Sequence, residues 1–520
     1  MAAPLAALVL GLVLSGCTGP SQGIVPGTPP QPGGQGGDEA APVALAEVDR
    51  GLVGGLDEGK LSSKDAGVSD VAVPFDPDSR NLSLAVELAT NKGLRNNAMA
   101  NGTDYTQQWR VVGSSPKAVG IWLDTSSTVE GKPRKVPISV WYDRASDRGV
   151  AAPGLISLDG WPAFVSAVTD ALPRDADAGA VGEALGQEAA PYGNGPAMGF
   201  DAEGNAVLAF RDDLVPGPVR VPRAAIDPLL SPFGIDAQAS ATAPERFDPG
   251  AKLDSRDRKE SVGGEDEKAG AEPSEEPQVV DIPQGPGGSG GEASDEPTAE
   301  PAARPYPWVG VNCKARECAA MTYDDGPASG TPDVIEAYLA QGQALTFFQL
   351  GQVVANDEEM STFAAAKGME IASHTYVHDT SLPNRSPEKN KKEFGKTNEM
   401  LAKTTGRPPL FMRPPGGAVG KLTRQTAKES GQAIVNWDID TRDWATKDTV
   451  QTAASAQTVK PGGVVLMHDI HAPTVAAAEE IATTMTEKGY SLVTIGELSD
   501  YSWDAGKLYC GERDEDACDF

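Results

Sequence analysis

The chain has 520 residues, 39% of them hydrophobic and 23% charged, which is room for two or three ordinary globular domains. Gly (58) and Pro (42) together make up nearly a fifth of it, which predicts long linkers. A formal charge of −30 repels a phosphate backbone, so the composition argues against a nucleic-acid partner, and the acidity reads first as a solubility device.

Residues 1–16, MAAPLAALVLGLVLSG, form an apolar run. It is shorter than the ~20 residues a membrane-crossing helix needs and has the length of a signal-peptide core. The run ends in Leu14-Ser15-Gly16-Cys17, which resembles the cleavage box of bacterial lipoproteins. That resemblance implies that 1–16 is a signal peptide and that Cys17 is lipidated. The protein would then sit on the outside of the cell membrane facing the wall, with simple secretion as the alternative. No Lys or Arg precedes the apolar run, which departs from the pattern. Residues 17–41 are rich in Gly, Pro, Ser and Gln and read as a flexible tether.

Residues 42–237 read as a smaller α+β domain. Strands are expected at 118–123 and 136–142, and a helix at 161–172. A hairpin is expected from 198–200 and 206–210 around Asp201-Ala202-Glu203-Gly204. The segment holds no His and no Cys, so it reads as a binding or spacer region. The stretch from Gly186-Gln187-Glu188 to the PVRVP run ending at Pro222 resembles the extracellular domain of lysozyme-responsive anti-sigma factors. The resemblance implies a cell-wall ligand.

Residues 238–305 read as an acidic linker. Within 251–300, 14 Asp and Glu stand against 5 Lys and Arg, and apolar residues are too sparse to offset the entropy of ordering the chain.

Residues 306–520 alternate strand and helix. Strands are expected at 319–323, 345–350, 370–373, 411–412, 433–437, 464–467 and 491–495. Helices are expected at 331–340, capped by Thr331, then at 357–367, from 386 to near 406, at 422–430 and at 476–488. The alternation implies an α/β fold with a parallel sheet, and about seven units imply a barrel. Apart from Cys17 the cysteines are Cys313, Cys318, Cys510 and Cys518. Four cysteines allow three pairings; the local pairs Cys313–Cys318 and Cys510–Cys518 are expected, with a four-cysteine zinc site as the rival.

The chemistry concentrates at the ends of these strands. Asp324 and Asp325 follow the first, before a Gly-Pro turn. His374 and His378 follow the third, and their i, i+4 spacing would place both on one face of a helical turn. All four histidines of the chain, with His468 and His471, fall in this one region. Asp325, His374 and His378 therefore form a candidate metal triad, and three protein ligands leave positions open for catalysis. Arg413-Pro414-Pro415-Gly416-Gly417, the run from Trp437 to Trp444, and Leu466-Met467-His468-Asp469 complete a set of five motifs in order.

With these five motifs, residues from about 312 to 500 resemble the polysaccharide deacetylases of the NodB-homology type, carbohydrate esterase family 4. The resemblance implies an irregular (β/α) barrel and a hydrolase of acetyl groups on N-acetylated sugars or xylan, with peptidoglycan sugars preferred beside a membrane. It implies Asp324 as the base, Arg413 as the arginine that orients it, His468 as the acid and Asp443 as the aspartate that tunes that acid. It assigns Trp444 and Leu466 to the pocket for the acetyl methyl, and the triad to a divalent metal, Zn2+ first with Co2+ or Mn2+ as alternatives. Gly416 replaces a usual aromatic, so a wall of the substrate groove is missing. The expected partners are an acetylated cell-wall glycan and, through Cys17, the membrane; a monomer is expected. A wall-sensing lipoprotein with a dead deacetylase domain is the third reading, which the intact residue set opposes.

Overall fold

A computed structural model describes residues 43–188, 195–250 and 303–511. The expected leader, Cys17, the tether, most of the acidic linker and Cys518, the expected partner of Cys510, lie outside the described residues.

The first sheet is built from β1 (Asp57–Ser63), β2 (Val68–Phe75), β3 (Thr103–Ser114), β4 (Ala118–Val129), β5 (Lys132–Lys135), β6 (Ile138–Asp143) and β7 (Arg148–Val150). Its order is β1-β2-β3-β4-β6-β7, with β5 paired to β4. All pairs are antiparallel except β2 with β3, which α1 (Arg80–Met99) connects. The expected strand at 118–123 is the first half of the longer β4, and that at 136–142 is β6. The expected helix is α2 (Trp161–Asp170). The expected hairpin is β8 (Ala197–Phe200) with β9 (Ala206–Ala209), to which β10 (Pro218–Val221) adds a third strand. Asp201 shapes its turn by accepting from the amides of Glu203 and Asn205. Helix α3 (Pro232–Thr242), capped by Ser231, runs past residue 238, where the linker was expected to begin.

The second sheet carries the motifs. Its strands are β11 (Cys318–Asp324), β12 (Thr346–Gln349), β13 (Glu370–Ser373), β14 (Phe411–Met412), β15 (Ala433–Val435), β16 (Ile439–Asp440), β17 (Val464–His468), β18 (Ser491–Leu492) and β19 (Leu508–Tyr509). The order β16-β17-β11-β12-β13-β14-β15-β19, all parallel, makes a curled sheet open between β16 and β19, with β18 beside the start of β11. This is the expected irregular (β/α) barrel. Every residue of β11 is buried, as a strand covered on both faces must be. Intervening helices are α4 (Thr331–Ala340), α5 (Glu358–Ala366), α6 (Pro387–Thr405), α7 (Lys421–Glu429), α8 (Ala472–Glu487) and α9 (Ile495–Leu498). The Cys313–Cys318 disulfide forms as expected at the entry to β11.

Three local expectations are corrected. Gly330, not Thr331, is the N-cap of α4; Thr331 is inside the helix, and its hydroxyl accepts from the Ala328 amide and donates to Asp469. The last expected strand stops at Leu492, because Thr494 and Glu497 form a capping box that starts α9. The sheet then gains β19 from a tail whose polar composition gave no strand signal.

The sheets share one core, and the described residues form one compact unit. Leu84, Trp141 and Phe247 belong to the same buried cluster as Phe348, Phe411 and Trp503. Helix α1 is buried nearly all round because one side covers its own sheet and the other meets the barrel. Its charged residues are paired there: Arg95 with Glu497, and Glu87 with Arg407 at 2.6 Å.

Candidate active site

Parallel pairing of β11 with β17 sets Asp324 directly beside His468 in the register. Pairing of β13 with β14 aligns Ser373 with Met412, so the next residues, His374 and Arg413, leave the sheet together. Five separate motifs thus meet at the carboxyl ends of the strands.

Arg413 is fully buried and spends its guanidinium on the base side of the site. Its Nη1 donates to Asp324 Oδ1 at 2.7 Å and to Thr322 Oγ1 at 2.8 Å. Nε and Nη2 donate to the carbonyls of Val435 and Asn436, both at 2.9 Å, and the group lies 4.0 Å from the Phe348 ring centroid. Burial pushes the Asp324 carboxyl above the usual carboxylate range, and the charge of Arg413 only partly offsets it. Asp324 is therefore a stronger proton acceptor than a surface aspartate.

Asp325, His374 and His378 bring one donor atom each within 4.8 Å of the others. Asp325 Oδ1 lies 3.5 Å from Nε2 of each histidine, is buried, and has no hydrogen-bond partner. His374 is buried, and burial lowers its pKa to about 3, so the ring is neutral. Its Nδ1 lies 2.9 Å from the Arg413 carbonyl, which assigns the proton to Nδ1 and leaves the Nε2 lone pair facing the triad. Neutral imidazoles and one orphaned carboxylate oxygen fit a divalent cation. The expectation of a helical turn under the two histidines is corrected: Thr375 (φ 68°) and His378 (φ 58°) are left-handed, and the segment is a bent loop.

On the other side, His468 Nδ1 lies 2.9 Å from Asp443 Oδ1. Asp443 Oδ2 accepts from the His468 amide at 2.8 Å and from Thr474 Oγ1 at 2.7 Å. Burial opposes protonation of His468, but the hydrogen bond to Asp443 and the charges of Asp324 and Asp325 raise its pKa to about 8. Asp324 and His468 thus set a buried carboxylate and an imidazole of raised pKa side by side on the adjacent strands β11 and β17.

The remaining candidates lie around these groups. Leu466 is buried and shares its face of β17 with His468. Trp444, 49% exposed, stands in the short helix Asp443–Thr446. Gly416 is left-handed (φ 61°), and a Cβ there would meet only Thr380 Cγ2 at 3.4 Å. His471 follows on the rim, its ring 5.9 Å from that of His468. Sequence reasoning missed Thr474, which braces Asp443, and Asp469, buried and pushed up to about 7 by burial. Asp469 was visible in the sequence as the residue after His468, but its partner Thr331 is 138 positions away.

The polysaccharide deacetylase family model matches residues 312–435. The chain is 34% identical over 203 residues to a peptidoglycan-N-acetylglucosamine deacetylase of Listeria monocytogenes, covering 39% of this chain and 43% of the relative. It is 33% identical over 189 residues to a peptidoglycan-N-acetylglucosamine deacetylase of Bacillus cereus, covering 35% of this chain and 88% of the relative. It is 32% identical over 185 residues to a peptidoglycan-N-acetylmuramic acid deacetylase of Bacillus subtilis, covering 35% and 38%. The chain thus spans less than half the length of the Listeria and B. subtilis relatives.

Proposed function

We propose that this chain, which belongs to the polysaccharide deacetylase family, is a metal-dependent hydrolase of N-acetyl groups on cell-wall glycan, with peptidoglycan sugars as its substrate. One observation carries the reading. Asp324, held by Arg413, and His468, held by Asp443, end adjacent strands beside the Asp325–His374–His378 triad.

The triad would hold the cation, and its two imidazoles and one carboxylate suit Zn2+ first, with Co2+ or Mn2+ as alternatives. When bound, the cation supplies Lewis acidity to the acetyl carbonyl. Asp324, with Oδ1 tied to Arg413, takes a proton from the attacking water on its other oxygen. His468, with Nδ1 engaged by Asp443, carries its mobile proton on Nε2 and gives it to the departing amine. An amine leaves poorly unless protonated, so the raised pKa of His468 suits the task. Leu466 and Trp444 wall the space for the acetyl methyl.

The wall reading extends to parts outside the site. The lipoprotein box at Cys17 supports an anchored protein facing the wall, and the N-terminal region is read as a wall-binding accessory acting in a monomer. Gly416 favours a second reading, deacetylation of chitin oligomers or acetylxylan, because it removes a side chain from the groove wall.

The test is acetate release by the full chain with Zn2+ from peptidoglycan, chitin oligomers and acetylxylan, beside Asp324→Asn. Acetate from peptidoglycan, abolished in the variant, is expected. No acetate from any substrate would sink the hydrolase reading, and acetate from xylan alone would sink the wall reading.

A further inference from the structure

The loop that bears both metal-site histidines is held in a conformation its own residues disfavour. Thr375 and His378 have φ of 68° and 58°, a region β-branched residues avoid most. The carbonyls of Thr375 and Tyr376 accept from the amides of Gly351 and Gln352, in the short helix Gly351–Val354, at 2.9 and 3.0 Å. The loop's amides are held by one carboxylate. Glu393 Oε2 accepts from the consecutive amides of Tyr376 and Val377 at 3.1 and 3.2 Å. Two successive N–H groups aimed at one oxygen make a small anion-binding concavity.

Glu393 lies on α6 and is 8% exposed, so losing it leaves those two part-buried amides without the acceptor that holds them. Its Oε1 is 3.4 Å from Arg385 Nη1, which is also 2.9 Å from Asp379 Oδ2. Asp379 directly follows His378, so the carboxylate–guanidinium–carboxylate chain grips the loop on both sides of that histidine. The two histidines need this support unequally. His374 is buried and oriented by the Arg413 carbonyl, whereas the His378 side chain is 41% exposed and takes its place from the backbone beneath it.

We infer that Glu393, with Arg385 as its relay, is a positioning residue that sets His378 against Asp325 and His374. The inference rests on reading that triad as a divalent-cation site. Glu393 acts through the loop backbone, so its loss weakens and distorts metal binding without removing a donor atom.

The experiment is a Co2+ titration of the metal-free full chain, following the visible absorption band, for wild type, Glu393→Ala, Glu393→Gln and Asp325→Asn. Glu393→Ala is expected to weaken Co2+ binding roughly 10- to 100-fold, the range for residues that orient ligands, and to alter the band. Glu393→Gln keeps an acceptor oxygen for both amides but loses the ion pair with Arg385, and is expected to bind Co2+ more tightly than Glu393→Ala. Wild-type affinity and spectrum in Glu393→Ala would overturn the inference. If Glu393→Ala does not fold, Arg385→Gln takes its place: a loss of about threefold or more supports the inference and unchanged binding overturns it. Failure of wild type to bind Co2+, or binding by Asp325→Asn as tight as wild type, overturns the metal reading itself and is visible without any Glu393 variant.

Discussion

At the scale of single residues, the acid and the base owe their character to neighbours that are distant in sequence. His468 is raised to about 8 against the effect of burial, chiefly by Asp443 and then by the charges of Asp324 and Asp325. An acid must carry its proton, so the rate should fall as pH rises through that value. Replacing Asp443 by Asn removes the negative charge and keeps an oxygen for His468 Nδ1. The pKa of His468 then falls, and the alkaline limb of kcat/KM should move down by about one pH unit or more. A limb that stays in place in Asp443→Asn would remove His468 from the acid role. The residues of this pair were legible in the sequence, because histidine is rare in this chain and clusters with aspartate at strand ends. Their supports were not. Glu393 sits in a helix dense with Lys and Glu, where one carboxylate that turns inward looks like the others that face water. The histidine loop misled for a related reason: i, i+4 spacing suits a helical turn, and nothing local marks Thr375 and His378 as left-handed.

At the scale of elements, strands with clear turn punctuation were readable, and the long helix α1 was not. Its opening run places Leu82, Leu84, Val86 and Leu88 at every second position, which mimics a strand. The pattern follows from its burial on all sides, between its own sheet and the barrel. The same docking brings β1 against the end of α6. A Cβ on Gly59 would lie 1.5 Å from the Gly406 carbonyl oxygen, backbone against backbone. Neither side can yield by turning a rotamer, so Gly59→Ala should destabilise the chain by about 1–3 kcal/mol, the usual cost of overpacking. Gly182→Ala is the matching control. A Cβ there meets nothing within 4 Å, and it lies inside the helix Ala178–Leu185. That change should hold or raise stability, by up to about 1 kcal/mol from helix propensity. Urea midpoints measured side by side decide it: equal midpoints for the two variants would mean that β1 and α6 do not meet this closely.

At the scale of the whole molecule, the acidic stretch suggests two bodies joined by a string, and the described residues pack as one. The signal for this could not be local. Arg95 and Glu497 are 402 positions apart, and each is ordinary in its own sequence context. Together they are buried, with Arg95 Nη1 also donating to the Gly368 carbonyl at 2.6 Å. Burial alone would raise the Glu497 carboxyl, and the guanidinium of Arg95 is the largest influence that lowers it below its ordinary value. Removing the cation takes away the main partner of a buried carboxylate, which costs about 3–5 kcal/mol in comparable pairs. Arg95→Ala should therefore lower the stability of the full chain by about that amount. Arg95→Ala with Glu497→Ala should recover part of the loss, since the orphaned charge goes too. Trp141 in the first sheet and Trp503 beside the second lie in the same buried cluster, so both halves should unfold together. Single-tryptophan fluorescence in urea checks both points. Two separated transitions, or an Arg95→Ala curve that overlays wild type, would mean that the N-terminal region rests on the barrel without stabilising it.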